Sequence, residues 1–529
     1  MNVKSKILLT VGILALGAFQ NCAQHASSFS LEVVPMCRDV ESGELEPQVK
    51  WDWISQLASS PDSRFASFDQ VMAAPMVADL NGDKKPEIVF TSFSVKPTDW
   101  YNDSAGASYT RNGVLRIVDG ATGKTLHSIG DANLAPQGSH SPLLIDIDGD
   151  GKVEIIYLHY DRRHVIALNN DGSLRWKYSL PFDFAFFTGF TASDVNRDGI
   201  AEFQVGNLLL TENAQHQPVV LTTLNGAPNV SYSSLTAALD PSQPSVTYLI
   251  NGGGVFDKNG QRKFAFKRIE TYLAVADVYP DKKGLEIIAT GNGTMTIYNG
   301  LTGEILSEKD LADYNSLKCP SGIVGGGPAT VGNFDGDPNS LEIAVATGQY
   351  LTIFNKNSEP IYQSQSQDCS SLATGVTSFD LNGDKKPEVL YADEEYLRIY
   401  EVVDGELQVK FKIVNPSGTL LEYPVVADVD GDGSAELVVV ANNFAVGSFY
   451  QDPDEVGDAA IAAKITGVRV FQSAKKNSWM PTRPIWNQYS YHPDAVTDRA
   501  RLIRDALLDG SLFRRNNQGY NVEMSCRKQ

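Results

Sequence analysis

From about residue 70 to residue 471, short apolar runs alternate with polar turns rich in Asp, Asn and Gly. The clearest unit is PVVAD (424–428), an acidic loop, then ELVVVAN (436–442). Both flanks are β-branched, so loop and flanks predict a β-hairpin with buried strands. A second hairpin follows in most units: GVLRIVDGATGKTLHSI (113–129), VIALNNDGSLRWKYS (165–179), GTMTIYNGLTGEILSE (293–308), LTIFNKNSEPIYQS (351–364) and LRIYEVVDGELQVKF (397–411). Asn-Gly and Asp-Gly turns between alternating apolar residues carry that reading, because Gly and Asn tolerate positive φ. Two hairpins per unit make a four-stranded sheet.

The acidic phrase recurs seven times, starting at 79, 146, 194, 277, 333, 380 and 428. The successive intervals are 67, 48, 83, 56, 47 and 48 residues, so the base period is near 48 and longer intervals read as insertions. Sheets repeating at that length predict an all-β, seven-bladed β-propeller of four-stranded blades over residues 48–471. The last unit lacks an obvious fourth strand. QVKWDWIS (48–55) resembles SLRWKYS (173–179), the outer-strand segment of the second unit, and is expected to fill the gap. Residues 22–47 then read as a linker and 472–529 as a tail packing on the propeller, with DRARLIRDALLDG (498–510) as a short amphipathic helix.

Within five phrases the acids keep one frame, with side chains at positions 1, 3, 5 and 9: Asp79, Asn81, Asp83, Glu87; Asp146, Asp148, Asp150, Glu154; Asp194, Asn196, Asp198, Glu202; Asp380, Asn382, Asp384, Glu388; and Asp428, Asp430, Asp432, Glu436. A sixth keeps Asn333, Asp335, Asp337 and Glu342 with one extra residue. The phrase at 277 has Tyr279 at position 3 and an insertion, so it is expected to be empty or weak. Calcium takes six to eight hard oxygen ligands and accepts mixed carboxylate, amide and carbonyl donors, which makes several structural calcium ions the expected cofactor. There is no glutamate at position 12 with flanking helices, as an EF-hand requires.

Charge fits that reading. The chain has 64 Asp and Glu against 44 Lys and Arg, a net charge of −20, and seventeen carboxylates lie in the five regular frames. Such a balance disfavours nucleic acid or an anionic lipid surface as partner. At the N-terminus, Lys4 and Lys6 precede an apolar run from Ile7 to Phe19 and then Cys22, the layout of an export signal over residues 1–21. The junction resembles a bacterial lipobox, which implies lipidation of Cys22 and an outer-membrane or cell-surface location; an ordinary signal would leave the protein periplasmic. No later segment is long and apolar enough to span a membrane. Cys319 and Cys369 occupy similar places in adjacent units, and Cys37 and Cys526 lie at opposite ends, so those two pairings are preferred over four free thiols.

On these repeats the chain resembles the FG-GAP or VCBS repeat proteins, a family that includes integrin α-subunit propellers and many bacterial surface proteins. The resemblance covers roughly 70–471 and rests on the acidic loop, since the FG and GAP dipeptides are poorly kept. It implies calcium between the first two strands of a blade and partners on the opposite rim or on inserted loops, here 91–112, 204–250 and 443–466. The tail SWMPTRPIWNQYSYH (478–492) resembles a segment that follows such repeats in secreted bacterial proteins. TGKT (122–125) is a hairpin turn rather than a phosphate loop, because Val118 stands where a Walker glycine is required. His159 and His164 in LHYDRRHV form no zinc spacing and read as ordinary loop or strand residues, and no GxSxG elbow occurs. The expected function is therefore a non-enzymatic, monomeric, exported scaffold binding a protein or a surface glycan. The alternative is a polysaccharide lyase of the rhamnogalacturonan-lyase type, a class in which similar propellers occur.

Overall fold

The computed structural model describes residues 45–57, 63–95, 112–184, 189–229, 233–311, 325–371, 373–446, 456–476, 478–493 and 496–502. Among them, the strands form eight four-stranded antiparallel sheets, not seven. Blades 1 to 7 run in chain order, with first and last strands Met76–Ala78 and Thr125–Ile129, Leu143–Ile145 and Leu174–Ser179, Thr191–Ser193 and Pro218–Thr223, Ser234–Ala237 and Arg262–Ala265, Tyr272–Ala276 and Ile305–Asp310, Thr330–Gly332 and Pro360–Gln365, and Thr377–Phe379 and Glu406–Val414. Blade 8 takes Val425–Ala427, Glu436–Ala441 and Gly467–Ser473 from the end of the chain and Pro47–Asp52 from its beginning.

The blade missing from the sequence count is Ser234–Ala265. It lies in the 83-residue interval, which holds two units rather than one with an insertion, so 204–250 is not an inserted loop. Counting acidic phrases passes over it because its first hairpin carries almost none of the acids. Tyr248 pairs with Ala237 where the other seven sheets place a glutamate in register, as in Ala78↔Glu87 and Ala427↔Glu436. Asp240 is the acid left in that turn, and it binds its own Ser242 and Gln243.

First strands of neighbouring blades touch one another and are almost wholly buried, which places them around the central axis. Fourth strands are mostly exposed or half-buried and form the outer edge. Core side chains pack between the faces of adjacent blades, as in the cluster joining Leu143 and Ile156 of blade 2 to Phe203 and Leu210 of blade 3.

Ring closure uses both chain ends. Pro47–Asp52 pairs antiparallel with Gly467–Ser473, so the N-terminal segment supplies the fourth strand expected for the last blade. Its two tryptophans then reach into blade 1, where the Trp51 indole donates to the Gly120 carbonyl and Trp53 to the Thr125 hydroxyl. A Cβ at position 120 would lie 2.3 Å from the Val429 carbonyl, so only glycine lets blades 8 and 1 close this tightly. The tail segment 480–502 supports the centre. Val77 and Trp486 exchange two main-chain hydrogen bonds of 2.8 Å, and Leu144, Asp428 and Ala435 donate to the carbonyls of Asn487, Arg483 and Met480. Inner strands have one edge without a sheet partner, and the tail satisfies part of that edge in blades 8, 1 and 2. Trp486 and Tyr489 are buried there against Tyr423, and buried Tyr491 stacks on Trp486. Of the helix expected at 498–510, the described part 498–502 is instead a turn closed by Thr497 N–H donating to the Arg501 carbonyl.

Candidate metal centres

In an antiparallel blade the turn between strands one and two and the turn between strands three and four share a rim. All the acidic loops therefore stand on one rim. Each begins where the inner strand ends and finishes at the first residue of the second strand.

One contact recurs in all seven. The closing glutamate turns one carboxylate oxygen onto the backbone N–H of loop position 2: Leu80 to Glu87 at 2.9 Å, Ile147 to Glu154 at 3.1 Å, Val195 to Glu202 at 2.7 Å, Val278 to Glu286 at 3.1 Å, Phe334 to Glu342 at 2.9 Å, Leu381 to Glu388 at 2.6 Å and Val429 to Glu436 at 3.0 Å. The second oxygen is left for the loop. What it meets differs from blade to blade. In Glu87 and Glu202 it meets the Asn81 and Asn196 amides, and in Glu342 the Ser340 hydroxyl. In Glu154 it meets Arg175, and in Glu436 it meets Lys50. In Glu286 and Glu388 it is buried and has no hydrogen-bond partner, as is Oδ1 of Asp146.

The first acid is wrapped by backbone donors. Asp380 accepts from Gly383, Asp384 and Lys385 N–H, and Asp79 from Gly82, Asp83 and Lys84. Asp194 and Asp428 are held by the corresponding turns, through Gly199 and Gly433. Positions 3 and 5 build the turn itself. Asn81, Asp148, Asn196, Asp335, Asn382 and Asp430 accept from the N–H of position 5, and Asp83, Asp150, Asp198, Asp337, Asp384 and Asp432 from that of position 7. Asn333 accepts from Gly336. Carboxylate oxygens of Asp146, Asp148 and Glu154, of Asp194, Asp198 and Glu202, and of Asp380, Asp384 and Glu388 all come within 4.8 Å of one another in their own loops.

Burial of so many like charges has a readable electrostatic effect. Loss of solvent, with the neighbouring loop acids adding to it, pushes Glu87 and Glu286 up to about 7, Glu154, Glu202 and Glu436 to about 8, and Glu388 to about 9. Asp428 rises to about 7 for the same reasons. Orphaned buried oxygens and carboxylates forced upward together fit a hard divalent cation such as calcium, which the side chains at positions 1, 3, 5 and 9 would hold.

Two loops already contain a cation of the protein's own. Arg175, on the outer strand of blade 2, reaches Asp148 at 2.6 Å and Glu154 at 3.3 Å and binds Glu212 of blade 3 at 2.5 Å. Lys50, on the N-terminal strand, reaches Asp430 and, at 3.1 Å, Glu436. Sequence reasoning did not assign these residues to the loops, although the likeness of QVKWDW to SLRWKY aligns Lys50–Trp51 with Arg175–Trp176. In both blades the cation turns into its own loop and the tryptophan donates to the next blade, to Gly120 or to Glu212. In blade 5 Tyr279 turns away, its hydroxyl donating to the Lys356 carbonyl, and Asp277 faces a cavity of about 470 Å³ shared with Asn333, Asp335 and Glu342 of blade 6.

Cys369 is disulfide-bonded. Cys22, Cys37, Cys319 and Cys526 lie outside the described residues, as do the expected export signal and residues 96–111 of the 91–112 insertion. Among the described residues no helix is long and apolar enough to cross a membrane.

Fold and loops together define a β-propeller with an acid-loop rim. The chain carries FG-GAP-like repeats, matched by that family's model at residues 146–205 and 380–439. No curated protein matches the sequence. Among solved structures, the Vibrio cholerae biofilm matrix protein Bap1 superposes with a TM-score of 0.67 at 17% identity, over 88% of this chain and 97% of that one. The exotype rhamnogalacturonan lyase YesX gives 0.51 at 15% identity over 76% and 72%, and a Bacillus licheniformis rhamnogalacturonan lyase gives 0.50 at 15% over 76% and 71%. At these identities the likeness is one of fold.

Proposed function

We propose that this protein is a calcium-stabilised, exported envelope propeller that presents a rigid surface to another protein or a surface glycan. One observation carries the calcium part: the buried, partnerless carboxylate oxygens of Glu286, Glu388 and Asp146 aimed into acid loops of repeated geometry. A divalent ion would satisfy them and offset the loss of solvent and the smaller mutual repulsion that raise their protonation. Affinities of about 10⁻⁴ to 10⁻³ M, usual for extracellular modules, suit an ion whose work is structural. The fold shared with a biofilm matrix protein over most of both chains supports the surface role. Lipid attachment at Cys22 would place the wheel on the outer membrane or cell surface.

Binding of the purified protein to envelope polysaccharide and to envelope protein, with calcium and with chelator, tests the reading. Calcium-dependent retention on either is expected. Calcium-dependent release of unsaturated sugars from a pectic polysaccharide would replace it with the lyase reading, for which the fold shared with rhamnogalacturonan lyases is the support.

A further inference from the structure

On the rim opposite the acid loops, the turn between the second and third strands of blade 2 gathers His159, Asp161 and His164. Nδ1 of His159 lies 3.0 Å from one Asp161 oxygen and Nδ1 of His164 lies 2.7 Å from the other. A tight turn folds them together, with Arg162 at φ 60° and its N–H donating to the His159 carbonyl. Because no recognised zinc motif has the spacing His-x-Asp-x-x-His, the grouping appears only in three dimensions.

The decisive detail is the other nitrogen of His159. Nε2 sits 3.1 Å from the Ala132 carbonyl, which can only accept, so Nε2 carries the hydrogen. In a neutral ring Nδ1 is then a lone pair. That lone pair accepts weakly from Asp161 N–H at 3.4 Å and otherwise faces a carboxylate oxygen, in a side chain that is nearly fully buried. Two acceptors at 3.0 Å need a cation to share. Neighbouring cations are turned elsewhere: Arg163 pairs with Asp183, Arg162 donates to the Phe184 carbonyl and Lys177 to the Asn133 carbonyl. A metal-bound histidine that donates its second nitrogen to a backbone carbonyl is the arrangement that fixes tautomer and ring orientation in metal sites.

We propose that His159, Asp161 and His164 bind a borderline divalent transition-metal ion of the zinc class, distinct from the hard ions suited to the acid loops. Imidazole nitrogens favour zinc, cobalt, nickel or copper over calcium. Metal–ligand bonds of about 2.0–2.2 Å require the nitrogen–oxygen contacts to open by a few tenths of an ångström, a change that the partly exposed His164 accommodates. Positions not filled by the protein face the rim and are open to water or to a partner's donor.

Cobalt(II) provides the test, added to calcium-saturated full-length protein so that the acid loops are filled. The expected result is a visible d–d band saturating at one equivalent, displaced by zinc, and weakened at least about tenfold in H164Q, whose side chain is at the surface and whose loss leaves the melting temperature in calcium unchanged. H216Q, which removes the histidine beside Asp148 and Glu212, should leave the band intact. No band in the wild type, the outcome if a proton on His159 is the shared cation, overturns the proposal. So does a band unchanged in H164Q and D161N or abolished by H216Q.

Discussion

At the residue scale, the recurring element is a glutamate with one oxygen committed to the backbone and one left over. Glu388 states the consequence most sharply. Its pKa rises from 4.5 in the unfolded chain to about 9 in the fold, chiefly through burial and then through Asp380 and Asp384. A carboxyl raised on folding binds more protons native than unfolded, so without metal its contribution is favourable below pH 4.5 and is progressively lost as pH climbs towards 9. Glu87, Glu154, Glu202, Glu286 and Glu436 act in the same direction with smaller windows. In chelator the melting temperature should therefore fall across this range, and millimolar calcium should flatten the profile. Calcium uptake near pH 7 should also release protons, readable by calorimetry in buffers of different ionisation enthalpy. A smaller test concerns backbone strain. Lys385 holds φ 73° at a position where other loops have glycine, such as Gly151 and Gly433. Lys385→Gly should stabilise the protein by about 0.5–1 kcal/mol in denaturant titrations, with or without calcium.

At the scale of the element, each acid hairpin is a compact turn whose charges are balanced in different ways. Blades 2 and 8 use Arg175 and Lys50, so their loops are partly neutralised before any metal arrives. Lys50→Ala leaves Asp430 and Glu436 without their cation and detaches the closing strand from its loop. The expected cost in chelator is about 2–4 kcal/mol, as for the loss of one partner of a largely buried pair. In saturating calcium the cost should shrink, because a metal ion replaces the lost charge; an equal cost in both conditions would mean that lysine and metal do not share this loop. The hairpins were legible in the sequence because the loop needs acids at alternate positions and the strands need apolar residues beside them. Blade 4 was not legible in the same way. Tyr248 and a turn holding Asp240 make the same hairpin without metal-ligating chemistry, so a count based on acids had nothing to register there.

For the molecule as a whole, closure depends on segments far apart in sequence. The first strand joins the last blade, and the tail hydrogen-bonds to inner strands or first-hairpin loops of blades 7, 8, 1 and 2, with the Gln488 side chain accepting from Ala192 of blade 3. A chain ending at residue 476 would expose those inner edges and lose the packing of Trp479, Trp486, Tyr489 and Tyr491. It should melt well below the full chain and associate on warming, as light scattering and calorimetry would register, because unpaired strand edges around an apolar centre are templates for further pairing. An unchanged melting temperature would show that the sheets close without the tail.

By itself the sequence determined the strands of the acid-bearing blades, the repeated acid frame, the four-stranded blade and the use of an N-terminal strand to complete the last one. Each of these follows from local alternation or local turn chemistry, which adjacent residues write directly. Tertiary structure alone decided that there are eight blades, that Lys50 and Arg175 enter the acid loops, that the tail lines the inner edges, and that two histidines and an aspartate meet on the far rim. Lys50 and the tail meet their partners across hundreds of residues, and such contacts leave no periodic trace in the chain, whereas blade 4 and the histidine turn are local but carry neither the acids nor a recognised spacing that would mark them.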